Sequence, residues 1–177
     1  MSVIVRETSE TKIRVEVTRT PGRLEIDTSV PFLDHMLTAL AKYAGWTLSL
    51  SARGDLRHHL IEDVAIALGT ALADDVKEPV VRFGHRVVPM DEALVECALD
   101  FGGRPFYQGK LPSSLYDHWM RSFADHARCT LHLRILRGKD RHHVVEAGFK
   151  ALGMSLRQAL APAPDVMSTK GEVKVDR

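Results

Sequence analysis

Asp34-His35 is followed along the chain by His58-His59-Leu60-Ile61-Glu62, and Asp117-His118 by His142-His143-Val144-Val145-Glu146; the two intervals differ by a single residue. Imidazole with carboxylate is a ligand set that suits divalent transition metals. Each block supplies three histidines and a glutamate, so six of the nine histidines fall in two equivalent clusters. One cluster alone reads as readily as a histidine-rich helix start. Two copies, each introduced by Asp-His, point to metal binding.

On a helix, neighbouring residues point about 100° apart, whereas residues three or four apart share a face. His59 can therefore converge with Glu62, but His58 and His59 diverge, as do His142 and His143. Adjacent imidazoles then serve different ions. Six histidines and two glutamates divide into two sites of three nitrogens and one oxygen each. A six-coordinate ion keeps two positions open for substrate, and N/O ligation without thiolate favours Mn²⁺ or Fe²⁺ over structural Zn²⁺.

These ligands need a frame, and the repeat describes it. Laying the second block on the first matches Thr47-Leu48 to Thr130-Leu131, Arg53-Gly54 to Arg137-Gly138, Arg57-His58-His59 to Arg141-His142-His143, and Ala67-Leu68-Gly69 to Ala151-Leu152-Gly153. Ile13, Val15 and Val17 alternate with charged residues as in a half-buried strand; Pro21-Gly22 is a turn, and Leu24 and Ile26 continue the alternation, so the segment reads as a hairpin. The residues before it, among them Arg6, Thr8, Glu10 and Thr11, read only as a solvated strand entrance.

Pro31 or Ser29 starts a helix that Gly45 stops, Thr47 to Ala52 is a strand, and a second helix runs from about His58 to Val76. The second half repeats the order: strands around 85–89, 93–101 and 105–108, a helix capped by Ser113 or Ser114, a strand over 129–136, and a helix from His142 to about Leu160. Each half is roughly strand-strand-helix-strand-helix, so the fold class is α+β, an internal duplication of one module with helices covering sheets. Residues 1–80 form the first repeat, 81–160 the second, and 161–177 a polar C-terminal tail, all in one compact unit.

At 45% hydrophobic and 27% charged residues the chain has the composition of a globular protein, and a net charge of +1 leaves no broad basic field for nucleic acid or an anionic membrane. The N-terminus lacks the apolar core of a secretory signal, and no run is long enough to span a bilayer, so a cytoplasmic protein is expected. Cys97 and Cys129 read as reduced core residues. Trp46 and Trp119 read as packing residues, and His85, His126 and His132, outside the repeat, as surface or core-edge residues.

Taken together the motifs resemble imidazoleglycerol-phosphate dehydratase. The likeness runs through Pro31-Phe32-Leu33-Asp34-His35-Met36-Leu37, His58-His59 with Glu62-Asp63, Arg82-Phe83-Gly84, Asp91-Glu92-Ala93-Leu94, Gly103-Arg104-Pro105, Asp117-His118, His142-His143 with Glu146-Ala147, and Ser168-Thr169-Lys170-Gly171. The resemblance implies a fold like the second domain of ribosomal protein S5, and a dehydratase acting on a small phosphorylated imidazole in histidine biosynthesis. It implies two Mn²⁺ ions per active site, and a hollow homo-oligomer, usually of twenty-four subunits, with active sites at subunit interfaces. The metal ligands it implies are His35, His58, His59, Glu62, His118, His142, His143 and Glu146. The substrate contacts it implies are Glu10, Arg82, Arg104, Lys150, Ser168, Thr169 and Lys170. The family's longer turn before the first histidine pair is replaced here by Gly54-Asp55-Leu56-Arg57, so any carboxylate that orients a ligating imidazole falls to Asp55 or Asp63.

The implied chemistry has a physical rationale. The hydrogen to be lost sits on a carbon with no adjacent carbonyl, so a carboxylate alone would remove it very slowly. Lewis acids on the imidazole ring would stabilise its imidazolate form, whose electrons can expel the neighbouring hydroxyl. A base then takes the acidified proton: Glu10, Glu146 or a metal-bound hydroxide. Arginine forks suit the phosphate, although Arg82 and Arg104 taken singly are only surface charges, and Lys150 alone reads equally as a solvated helix position. A non-catalytic metal-storage protein would use the same ligands and give those cations no role. A dimetal phosphate-ester hydrolase would lean on bridging carboxylates, which imidazoles here outnumber.

Overall fold

The computed structural model describes residues 1–165. Strands β1 (Ser2–Glu7), β2 (Thr11–Thr18), β3 (Leu24–Asp27) and β4 (Thr47–Gly54) form one sheet in the order β1-β2-β4-β3, with helices α1 (Pro31–Ala44) and α2 (Arg57–Asp75) on its inner face. Strands β5 (Phe83–Met90), β6 (Ala93–Phe101), β7 (Phe106–Gln108) and β8 (Cys129–Arg137) form the second sheet in the equivalent order β5-β6-β8-β7, covered by α3 (Ser114–His126) and α4 (Arg141–Ala159). The two helix layers then pack on each other, α1 against α4 and α2 against α3. The molecule is a four-layer sandwich, sheet-helix-helix-sheet, and the duplication is visible in its topology.

Both modules carry three strands before their first helix. In the first module the additional strand is β1, which lies antiparallel to β2 and pairs Ile4 with Val15. Its alternation of half-buried and exposed positions is mild because it is an edge strand, with Val3 and Val5 facing solvent. The hairpin expected around Pro21-Gly22 does not form. β4 lies between β2 and β3, pairing antiparallel with β2 and parallel with β3. The chain from β3 to β4 is therefore a crossover through α1, a connection a parallel pair requires. Leu24 and Ile26 reach only half-buried positions, as befits a sheet edge.

The helices end where local chemistry ends them. Pro31 opens α1, and Gly45 closes it at φ 74, a left-handed conformation that lets Trp46 donate its backbone N–H to the Ala41 carbonyl at 2.9 Å. Asp140 caps α4 by accepting from the backbone N–H groups of His142 and His143. Trp119 is fully buried, stacked on Phe123 with ring centroids 5.2 Å apart; Trp46 and both cysteines are also buried. Burial pushes each thiol up to about 12, which keeps both cysteines protonated. No helix among the described residues is long and apolar enough to cross a membrane.

α2 and α4 bury residues around most of their circumference, because each faces its own sheet on one side and a helix of the other module on the other. The crossings are tight at equivalent glycines. A Cβ on Gly69 would lie 2.8 Å from the Phe123 carbonyl oxygen of α3, and one on Gly153 would lie 2.5 Å from the Leu40 carbonyl oxygen of α1. Backbone sits on backbone there, so nothing flexible can yield. Gly153→Ala is expected to destabilise by about 1–3 kcal/mol, an overpacking cost. Gly148→Ala on the same helix, whose Cβ would meet only the Leu111 side chain at 3.5 Å, should be neutral or gain up to ~1 kcal/mol of helix propensity. Denaturant melts of the two variants compare them directly; equal stabilities would show that the crossing has slack.

Candidate active site

The positions of His35 and His118 are set by the aspartates before them. Asp34 Oδ1 accepts from the Thr28 backbone N–H at 2.8 Å and from the Thr28 hydroxyl at 2.6 Å. Asp117 Oδ1 accepts from the Leu111 N–H at 2.8 Å and the Tyr107 hydroxyl at 2.7 Å. Each tethers a helix start to the segment in front of it and turns away from the imidazoles. The histidine next to it is then left exposed on the first turn.

The crossing of α1 on α4 brings His35 to the second module's ligands. His35 Nε2 lies 3.0 Å and His142 Nε2 2.9 Å from Glu146 Oε2. Among the described residues these three are the one group whose candidate ligand atoms all lie within 4.8 Å of one another. The crossing of α2 and α3 does the reciprocal thing, placing His118 Nε2 3.2 Å from Glu62 Oε2. Each cluster thus mixes the two modules. Glu146 meets the histidine four positions before it, not the one three before, so the convergence read from spacing falls on the first imidazole of the pair.

His59 and His143 face a different way, toward carboxylates that clamp them. His59 Nδ1 is 2.9 Å from Asp55 Oδ1 and 3.6 Å from Glu10 Oε2. His143 Nδ1 is 2.7 Å from Glu92 Oε2. The His58 ring packs edge-on against His59, centroids 4.1 Å apart, and is exposed. Of the two orienting carboxylates anticipated, Asp55 contacts an imidazole. Asp63 is instead buried against the sheet, accepting from the Thr11 hydroxyl at 2.5 Å and from Arg6 at 2.9 Å. Sequence reasoning gave Glu92 no role, although a signal was present: it occupies, in the β5–β6 turn, the place that Glu10 has in the β1–β2 turn.

Charge at the cluster is shared unevenly. Glu146 is buried, which opposes its ionisation, yet hydrogen bonds from Lys150, His35 and His142 prevail and hold it at about 2. Lys150 Nζ is 2.8 Å from Glu146 Oε1, so the one implied substrate cation on α4 does reach the cluster. Glu92 is also held at about 2, by the backbone N–H of Asp140, by His143 and by the N–H of Lys139.

Arg82 and Arg104 are elsewhere. β6 begins beside Glu92 and ends at Phe101, whose N–H donates to the Arg82 carbonyl. The strand spans roughly 26 Å, so the arginines sit at the opposite end of the second sheet from His143. Arg104 is exposed in the β6–β7 connection. Ser168, Thr169 and Lys170 lie outside the described residues. Two clefts of about 640 and 790 Å³ lie at the far helix ends around Arg157 and Ala161, and their linings contain no candidate ligand. Within one chain the histidines form an exposed edge.

Comparison with known proteins finds matches along nearly the whole chain. A family model described as imidazoleglycerol-phosphate dehydratase matches residues 28–156. The chain is 44% identical to the imidazoleglycerol-phosphate dehydratase of Kineococcus radiotolerans, covering 95% of this chain and 96% of that protein. It is 45% identical to that of Pyrobaculum calidifontis, covering 96% and 98%. A crystal structure of the Pyrococcus furiosus protein in complex with (S)-C348 superposes with a TM-score of 0.89 at 41% identity, covering 96% of this chain and all of that one. The Staphylococcus aureus protein superposes at 0.78 with 30% identity, covering 92% of this chain and 100% of that one.

The clamps predict a titration. Donation from His143 to the Glu92 carboxylate raises the His143 pKa above the usual 6.5, and donation to Asp55 does the same for His59. A raised folded-state value means that this stabilisation is complete below the ordinary imidazole range and is lost as pH rises through the raised pKa. In metal-free protein, NMR titration should place both rings above free histidine, and Glu92→Gln should lower His143 while leaving His59 unchanged. A His143 midpoint that does not respond to Glu92→Gln would refute the clamp.

Proposed function

Since the chain belongs to the imidazoleglycerol-phosphate dehydratase family, an enzyme family of hydro-lyases in histidine biosynthesis, we propose that it works in the cytoplasm as a dimanganese enzyme with active sites built between copies of the chain. The observation that carries the metal is the gathering of His35 Nε2, His142 Nε2 and Glu146 at mutual distances that one cation could span. The donor set fits: imidazole and carboxylate without thiolate suit Mn²⁺. His35, His142 and Glu146 would hold one ion, and His118 and Glu62, with His58 as the repeat equivalent of His142, would hold the other. His59 and His143, clamped away from these sets, would complete sites on neighbouring copies.

Bound cations would supply Lewis acidity toward the substrate's imidazole ring, making negative charge there tolerable. The chain's own residues do the rest. Asp55 and Glu92 would hold a proton on Nδ1 of His59 and His143 and direct Nε2 to ligation, with Asp91 Oδ2 3.5 Å from His143 Nε2. Glu10 is the proposed base for the carbon-bound proton: it is exposed, carboxylate-bearing and next to His59. The departing hydroxyl leaves as water, and the enol that remains becomes the ketone of imidazole acetol phosphate. Arg82, Arg104, Lys150, Ser168, Thr169 and Lys170 are the proposed substrate contacts, with the arginines on the phosphate.

Distance supports an interfacial site. If Arg82 and Arg104 hold the phosphate, a small phosphorylated imidazole could not bridge the roughly 26 Å of β6 between His143 and Arg82, which favours ligands of one copy meeting the arginines of another. A closed homo-oligomer, of twenty-four subunits as in the resemblance, satisfies this. Chelated protein is expected to lose dehydratase activity and to sediment as smaller particles, and Mn²⁺ should restore both. Full turnover of imidazole glycerol phosphate in rigorously metal-free protein would overturn the metal role. Arg104→Ala should keep its bound Mn²⁺ and raise KM, since loss of a charge-assisted contact costs on the order of 2–5 kcal/mol. Loss of metal with an unchanged KM would place Arg104 elsewhere.

A further inference from the structure

Arg82 is held more firmly than a surface arginine. It is a non-glycine residue at φ 75, in the left-handed region, where backbone strain persists only if surroundings impose it. Its N–H donates to the Ala159 carbonyl at the end of α4 at 2.7 Å, and its carbonyl accepts from Phe101 at the end of β6 at 2.8 Å. Its side chain forks onto one carboxylate: Nε donates to Asp100 Oδ1 at 2.5 Å and Nη2 to Asp100 Oδ2 at 2.9 Å. The guanidinium carbon lies 5.2 Å from the Phe83 ring centroid. The same carboxylate borders the loop that carries Arg104, because a Cβ on Gly103 would come within 2.8 Å of Asp100 Oδ2.

A guanidinium has two bidentate edges, and a carboxylate on the Nε/Nη2 edge aims the Nη1/Nη2 edge in a fixed direction. We propose that Asp100 is a positioning residue for phosphate recognition: it fixes the Arg82 fork and the adjoining Gly103-Arg104 turn, and so sets substrate affinity without touching substrate. This rests on the reading that Arg82 contacts the phosphate. A salt bridge serving stability alone would have no need of a strained arginine backbone tied at both its N–H and its carbonyl. Pre-orientation of the fork lowers the ordering cost of binding.

The test uses Mn²⁺-loaded full-length protein in a double-mutant cycle of Asp100→Asn and Arg82→Ala, with imidazole glycerol phosphate as substrate and inorganic phosphate as inhibitor. Asp100→Asn should raise KM and the phosphate inhibition constant about tenfold, within the range expected for residues in contact, with kcat and bound Mn²⁺ unchanged. In the Arg82→Ala background the same substitution should add nothing, since there is no fork left to aim. Additive effects in the double variant, or an unchanged KM and inhibition constant in Asp100→Asn, overturn the proposal. An Arg82→Ala variant with normal KM and normal phosphate inhibition overturns the underlying phosphate contact instead. If Asp100→Asn does not fold, Asp100→Ser carries the same comparison, and circular dichroism distinguishes the two situations.

Discussion

Two backbone contacts between helices, at Gly69 and Gly153, set the geometry on which the candidate site depends. Where α4 passes α1, the Gly153 Cα faces the Leu40 carbonyl with no room for a side chain, and the equivalent contact joins α2 to α3. A helix is a stiff rod over this distance, so fixing the crossing point fixes where its first turn projects. That is how His35, from one module, arrives 3.0 Å from Glu146, from the other. The cluster is thus a property of the packing between duplicated halves, and neither half could assemble it alone.

The same crossings explain what could be read from sequence and what could not. Helix limits were legible because Pro31, Gly45 and the apolar stripes are local signals. The candidate histidines were conspicuous because they recur in two equivalent blocks. Their partnership was not, since His35 with Glu146 is a contact between residues far apart in the chain and depends on which helices cross. β1 escaped notice because an edge strand buries only one weak row of side chains, and the supposed hairpin failed because β4 outcompetes β3 for the edge of β2. Local turn signals at Pro21-Gly22 could not register a strand arriving later in the chain.

Duplication supplied two equivalent frames, and divergence has made them unlike. Lys150, ion-paired to Glu146 at 2.8 Å, corresponds in the repeat to Ile66, so Glu62 has no lysine beside it on α2. His143 is clamped by Glu92 from a neighbouring turn, whereas His59 is clamped by Asp55 from its own helix start and lies near Glu10. Proteins that need one substrate bound in one orientation gain from such asymmetry, because two identical half-sites would accept the ring either way round. Lys150 sits on one half and the exposed Glu10 on the other, so the two clusters differ in charge as well as in geometry.

Separating His143 from the arginines along β6 has a structural consequence of its own. A strand that ends in Asp100-Phe101 and begins after Asp91-Glu92 holds a carboxylate at each end, one fixing an arginine fork and one fixing an imidazole. Both are organised within the single chain, so the entropy of orienting the guanidinium and the imidazole is lost on folding. The rigidity of the second sheet therefore keeps the Arg82 fork and the His143 ring aimed at opposite ends of one strand.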